Sequence, residues 1–433
     1  MAYNKKRNPS ASEEASDRRS SKGPRAAAIT IGDDLEYRIA RLFMFMGYFV
    51  RRARPIFTAG ALAQATDLDV LAIRYVEPFR RQLITLECKG GGEGPLDRIF
   101  WLGGVKNFVK ADEALLVRKN TKWNIKDFAK EVGVQIWDLT KVAELESIYK
   151  VANNEWPGIS DRDYHKKEIE NWNKTLKGTQ NLWELQFTLV TEVQFGDPFP
   201  GLNYLLYHLR LLTRGFATEP SNSFIRFTIA ETLSQTVMFL MRIAESAFDL
   251  PEKDRTGFIE KGLTYGSIDS KFADRILTSA LNLTRQTVFH LTNKTADIDP
   301  TFFQLHPPPG TPEVVKAVDY ILKYYPASLT FPQITDLLLH EVFVKQNRGK
   351  GWLKRIFPVS DLAARVGLTR DFLKLLAEAG ACPHYVLNSI STAAQENGPK
   401  KADTPSAGTT KSEQLELAEA NAKVPDTTTS DKT

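Results

Sequence analysis

The sequence Leu83-Ile84-Thr85-Leu86-Glu87-Cys88-Lys89-Gly90-Gly91-Gly92 runs from four strand-forming residues into a glutamate, a cysteine and a lysine, and three glycines then end the pattern. Side chains alternate faces along a strand, so Glu87 and Lys89 project together while Leu86 and Cys88 project to the opposite side. A carboxylate and an ammonium leaving an apolar strand side by side are costly to bury, so the pair should be put to use. Upstream, Thr66-Asp67-Leu68-Asp69-Val70-Leu71-Ala72-Ile73 is a second apolar strand that opens with two acids on one face. A hairpin between the two, turning near Glu77-Pro78-Phe79, would bring Asp69, Glu87 and Lys89 within a few residues of one another. Two carboxylates and a lysine at a sheet edge have the make-up of a Mg²⁺ site with a water-orienting cation beside it.

Outward from this pair, the pattern is that of a compact α/β domain. Leu35, Ile39, Leu42, Phe43 and Met46 fall on one stripe at three- and four-residue spacing, which predicts a helix from Gly32. Asp33 and Asp34 suit its first turn, and Gly47 its C-terminal stop. Tyr48 to Ala53 reads as a strand, Pro55 to Ala65 as a loop, Asp67 to Val76 and Leu83 to Lys89 as strands. Leu96 to Lys110 is helical, Ala114 to Val117 a buried strand, Asn124 to Val132 a short helix and Val134 to Trp137 a last strand. That order predicts a mixed central sheet flanked by helices, over residues 29–148. Residues 149–180 read as a polar linker with one exposed helix. Amphipathic windows near 182–195, 200–214, 221–249, 269–294, 312–325 and 328–345 then predict an all-α domain over 181–394. Residues 1–28 and 395–433 have the composition of disordered tails.

The 57 Lys and Arg exceed the 52 Asp and Glu for a net charge of +5. Seven of the basic residues lie in residues 1–28 against three acids, so the middle of the chain is near neutral and charge alone does not argue for nucleic acid. Two cysteines make no disulfide framework and fit a reducing cytoplasm. No apolar run is long enough to span a bilayer, and no secretory signal opens the chain. The six histidines show no metal-ligand spacing.

Four pieces in order resemble the PD-(D/E)xK nuclease superfamily, closest to Mrr-type restriction endonucleases and archaeal Holliday-junction resolvases. They are Glu36 on the first helix, Asp69 in Thr-Asp-Leu-Asp-Val-Leu-Ala, Glu87-Cys88-Lys89, and the helix-then-strand pattern after the glycines. The resemblance covers about residues 30–140. It implies a restriction-endonuclease-like fold and Mg²⁺- or Mn²⁺-dependent hydrolysis of DNA phosphodiesters, in host defence or in repair. Asp69, Glu87 and the Cys88 carbonyl would hold the metal, Lys89 would orient or help deprotonate the attacking water, and Glu36 would hold a further water or ion. Leu68 stands where the family's name expects Pro. Asp67 shares a face with Asp69 and is the alternative ligand; Asp69 is preferred because an apolar run follows it directly, as in the family. Arg98 and Lys106 on the next helix are candidate assisting groups.

A second DNA signal lies near the C-terminus. Val359 to Ala379 resembles a helix-turn-helix, with Gly367 at the turn, Thr369 capping the second helix, and Arg370 and Lys374 facing outward. Just upstream, Lys350, Lys354 and Arg355 belong to a run with no acid from Val342 to Ser360, able to neutralise several phosphates. The whole therefore reads as a DNA endonuclease that would need a homodimer, or two nicks, to cut both strands. The rival readings are an inactive nuclease-fold module that holds DNA and a scaffold that binds a protein partner through its helices.

Overall fold

The computed structural model describes residues 31–57, 64–90, 94–151, 155–176, 185, 188–189, 196–218, 221–266, 268–295, 297–347, 352–357, 361–378, 380 and 382–397. The tail expected over 1–28, Gly91, Gly92 and Lys350 lie outside the described residues, as do the C-terminal tail beyond 397 and most of the helical window at 182–195.

Helix α1 (Ile31–Phe45) buries Leu35, Ile39, Leu42 and Phe43, the expected stripe. Gly47 ends it with a φ of 82°. There the Gly47 and Tyr48 amides donate to the carbonyls of Met44 and Phe43, both at 3.0 Å, satisfying groups a helix end leaves open. Strands β1 (Phe49–Phe57), β2 (Gln64–Val76), β3 (Arg80–Lys89), β4 (Glu113–Arg118) and β5 (Val134–Asp138) form one sheet in sequence order. The pairs β1–β2 and β2–β3 are antiparallel; β3–β4 and β4–β5 are parallel. Helices α2 (Pro95–Val109) and α3 (Trp123–Glu131) supply the two parallel crossovers. Ile99, Leu102 and Ala129 of these helices close on Ala114, Leu116 and Val134 of the sheet. The other face belongs to a larger core shared with α1 and the helical part. Cover on both faces explains why the interior of β4, Ala114 to Val117, is apolar rather than alternating.

Strand β1 runs past the predicted end at Ala53, because Arg54, Pro55 and Ile56 still pair with Leu68, Asp67 and Thr66. It is an edge strand, where a proline without an N–H is tolerated.

After β5, α4 (Leu139–Ile148) packs back on β5 and α1. The helical part comprises α5 (Arg162–Leu176), α6 (Pro198–Thr218), α7 (Ser223–Ala247), α8 (Glu252–Tyr265), α9 (Ser270–Thr292), α10 (Thr311–Lys323), α11 (Phe331–Leu337) with a π-helical continuation over Leu338–Val344, α12 (Trp352–Ile356), α13 (Leu362–Glu378) and α14 (His384–Asn397). Helix α7 is buried along most of its length and forms the centre. Helix α14 extends three residues into what reads as tail. The expected linker is a packed strap. Tyr164, Glu168 and Trp172 recur at every fourth position of α5 and are largely covered, and the Trp172 indole donates to Thr228 Oγ1 at 2.7 Å.

The sheet is seated directly on these helices. Arg51 of β1, 1% exposed, donates to Asp336 Oδ1 at 2.6 Å, Asp336 Oδ2 at 3.1 Å and Glu231 Oε2 at 3.2 Å. His340 Nε2 stands 3.5 Å from both acids, and its Nδ1 is 2.8 Å from the Tyr164 hydroxyl. Gln333 donates to the Gly47 carbonyl at 2.8 Å.

The helix-turn-helix expectation is corrected. Helix α13 passes through Gly367 without a turn, and Thr369 returns its hydroxyl to the Arg365 carbonyl at 2.8 Å instead of capping anything. Val366, Phe372, Leu373 and Leu376 are buried, with Phe372 stacked on Phe331 at 5.2 Å. The apolar period continues unbroken across the glycine, and a helix absorbs one interior glycine for about 1 kcal/mol.

Candidate active site

Strand alternation and hairpin register bring three of the predicted residues to one place. The β2–β3 hairpin turns at 77–79 and pairs Val70 with Leu86, which sets Asp69 beside the end of β3. Asp69 is fixed by the Cys88 amide, which donates to its Oδ2 at 2.7 Å. Lys89 Nζ lies 2.7 Å from Glu87 Oε1 and 3.8 Å from Asp69 Oδ2. Asp67, by contrast, is exposed and takes a 2.6 Å hydrogen bond from Gln64. The Cys88 thiol is buried in the core on the opposite face, and burial raises its pKa well above the ordinary value.

The carboxylates are held in an uncomfortable state. Burial, and then the negative charge of Asp69, push the Glu87 pKa up to about 7 against the pull of Lys89. Burial also raises Asp69, though the Cys88 amide, Lys89 and a side-chain hydrogen bond with Glu87 oppose it. Burial works against the Lys89 charge, but the hydrogen bond to Glu87 and the field of Asp69 outweigh it and its pKa ends above the ordinary value. Lys89 is thus a charged donor at neutral pH in the metal-free protein.

Helix α2 completes the surround. Arg98 is 3.6 Å from Glu87 Oε1 and lines a cleft of about 460 Å³ with Gly94, Asp97 and Trp101. Lys106, the other candidate on this helix, is turned instead to the Gly133 carbonyl at 3.4 Å. Glu36 pairs with Arg52, whose guanidinium lies 3.3 Å from the Tyr37 ring centre. Its link to the site runs through that arginine, whose charge favours ionised Asp69. Arg52 was invisible in the sequence because only the β1–β2 pairing brings it there.

Among the described residues no group of three or more His, Cys, Asp and Glu side chains is arranged to hold a metal. The donors available at this site are two carboxylates and the Cys88 carbonyl, which suffice for an ion that keeps several waters. Two carboxylates crowded together under cover, one with its pKa raised by the other, are a place that a cation would satisfy.

Of the C-terminal cations among the described residues, Lys354, Arg355 and Lys374 are exposed, as expected. Arg355 pairs with Glu155, and Lys374 with Asp371 at 3.1 Å. Arg370 is half-buried. A larger cavity, about 750 Å³, is lined by Arg38, Arg41, Trp156, Arg162, Lys345 and Arg355 among others. Its cations are matched by acids: Arg38 and Arg41 share Glu146 at 2.6 and 3.3 Å, Arg162 meets Asp34 at 2.6 Å, and Lys345 meets Glu341 at 2.7 Å. No helix among the described residues is long and apolar enough to cross a membrane. No protein-family model, curated protein or solved structure matches the chain.

Proposed function

We propose that this chain is a metal-dependent DNA endonuclease of the PD-(D/E)xK kind, with Asp69, Glu87 and Lys89 as its site. The observation that carries the reading is Glu87: a covered carboxylate crowded by a second acid, Asp69, with its pKa pushed up to about 7 and Lys89 at 2.7 Å. A structural ion pair would have no need of the second acid, whose charge makes ionising Glu87 harder. The mixed sheet carrying these residues at the end of its second antiparallel pair, with helices on both faces, accords with a restriction-endonuclease-like fold.

Asp69, Glu87 and the Cys88 carbonyl would hold Mg²⁺ or Mn²⁺. Bound there, the ion would supply charge against the phosphate oxygens and a more acidic water. Lys89, protonated, holds a water in line with phosphorus by donating to it, and Arg98 offers a second positive group to the phosphate. Asp69 keeps its orientation through the Cys88 amide. One such site cuts one strand, so a double-strand break takes two copies or two successive nicks. Defence against foreign DNA and repair both use such chemistry. The test is cleavage of supercoiled, linear, branched and single-stranded DNA with Mg²⁺, with Mn²⁺ and with chelator. Metal-dependent hydrolysis of at least one substrate is expected; inertness towards all of them in both metals would overturn the reading.

A further inference from the structure

Lys89 and Arg118 are register partners at the ends of β3 and β4. The segment after β4 therefore leaves the sheet one strand away from the site, about 4.8 Å. It reads Lys119-Asn120-Thr121-Lys122-Trp123-Asn124-Ile125-Lys126, and no acid occurs between Ala114 and Lys126. Lys119 and Lys122 are exposed. Trp123 opens α3 with 77% of its surface in solvent. Five residues of chain cover at most roughly 17 Å, so the indole stands within a few nucleotides' reach of Lys89. On the α2 side of Glu87, Arg98 and Trp101 line the adjoining cleft, with the guanidinium 5.8 Å from the ring centre. The active edge of the sheet thus carries cations interleaved with indoles on both sides.

That is the composition of a single-strand track, in which cations follow the phosphates and flat rings stack on bases. A duplex keeps its base faces stacked internally and offers an exposed indole only charged backbone. An unpaired base offers the face that Trp123 lacks. We infer that the β4–α3 corner binds a single-stranded segment of nucleic acid, with Trp123 stacked on an unpaired base and Lys119 and Lys122 on flanking phosphates. The inference rests on the nuclease reading for what happens at the other end of that strand, which it leads towards Lys89; the binding itself does not require cleavage.

The experiment measures binding of the full chain to a single-stranded DNA oligomer, to the same sequence as RNA and to a blunt DNA duplex, all in chelator, with salt titrated. Trp123→Ala removes an exposed ring and leaves packing intact, which circular dichroism verifies. It should weaken single-strand binding at least about fivefold while changing duplex binding less than about twofold. Lys119→Gln with Lys122→Gln should reduce the slope of log affinity against log salt by about 1.4 for the single strand. Tighter binding of the RNA, with the same loss on Trp123→Ala, also supports the track and names its polymer. Single-strand binding that is absent, indifferent to Trp123→Ala, or lost equally with duplex binding overturns the inference. Those failures with metal-dependent duplex cleavage intact leave the nuclease standing; the expected binding pattern without cleavage of any substrate does the reverse.

Discussion

Glu87 is a carboxylate that neutral pH only half ionises, because burial and Asp69 together hold its pKa at about 7. Ordinary glutamate titrates near 4.5, so between those values the folded chain binds a proton that the unfolded chain has lost. In the metal-free protein, this group's contribution to stability therefore falls as pH rises from 4.5 through 7. A divalent ion needs the ionised form, so the rise in melting temperature on adding Mg²⁺ should be about half as large at pH 6 as at pH 8. At a hundredfold excess over the dissociation constant it should be worth about 2.7 kcal/mol. Asp69→Asn should remove most of that response and Asp67→Asn little. A response that is flat with pH, or that follows Asp67, would contradict the assignment. The trio was legible in the sequence because strand alternation alone predicts that Glu87 and Lys89 share a face. Arg98 was legible only as a cation on the next helix. Arg52 was not legible, and neither was its hold on Glu36, since both depend on strand β1 pairing with β2.

Gly367 separates two readings of one element. In a turn with left-handed backbone an alanine would be strained; in the interior of α13 it should help. A Cβ at Gly367 meets no atom within 4 Å. Gly367→Ala should therefore stabilise the protein by about 0.5–1 kcal/mol in urea unfolding; a loss of stability would restore the turn. The order helix, three strands, helix, strand, helix, strand was readable from periodicity, and the hairpin from its Pro-containing turn. The helix-turn-helix resemblance misled because glycine and a small residue at the right spacing also fit an uninterrupted helix. Strand β1 outran its prediction because Pro55 argues against a strand only where a neighbour needs its N–H. The polar composition of α5 hid a one-sided stripe, Tyr164, Glu168 and Trp172, that seats it on the bundle.

At the scale of the whole molecule, the sheet and the helices are joined by charges that neither part could bury alone. Arg51 is buried against Asp336 and Glu231, with His340 beside both acids. Arg51→Ala removes the nearest cation from two buried carboxylates, leaving His340 beside both and Arg54 at 4.0 Å from Glu231, and should cost about 3–5 kcal/mol. The sheet and the bundle should then unfold in one earlier transition; an unchanged midpoint would mean that the two parts do not depend on each other. Sequence patterning separated the α/β and all-α parts but could not foresee this junction, because a strand arginine ordinarily reads as solvent-facing. At the candidate site, Lys89 is the residue whose removal separates chemistry from folding. Cleavage of supercoiled plasmid in Mg²⁺ by the wild type and by Lys89→Met, purified identically and with the fold verified, is the most direct test. The account predicts that the wild type cuts and that Lys89→Met is slower by on the order of a hundredfold or more, with DNA binding retained. A Lys89→Met protein that cuts as fast as the wild type would contradict it.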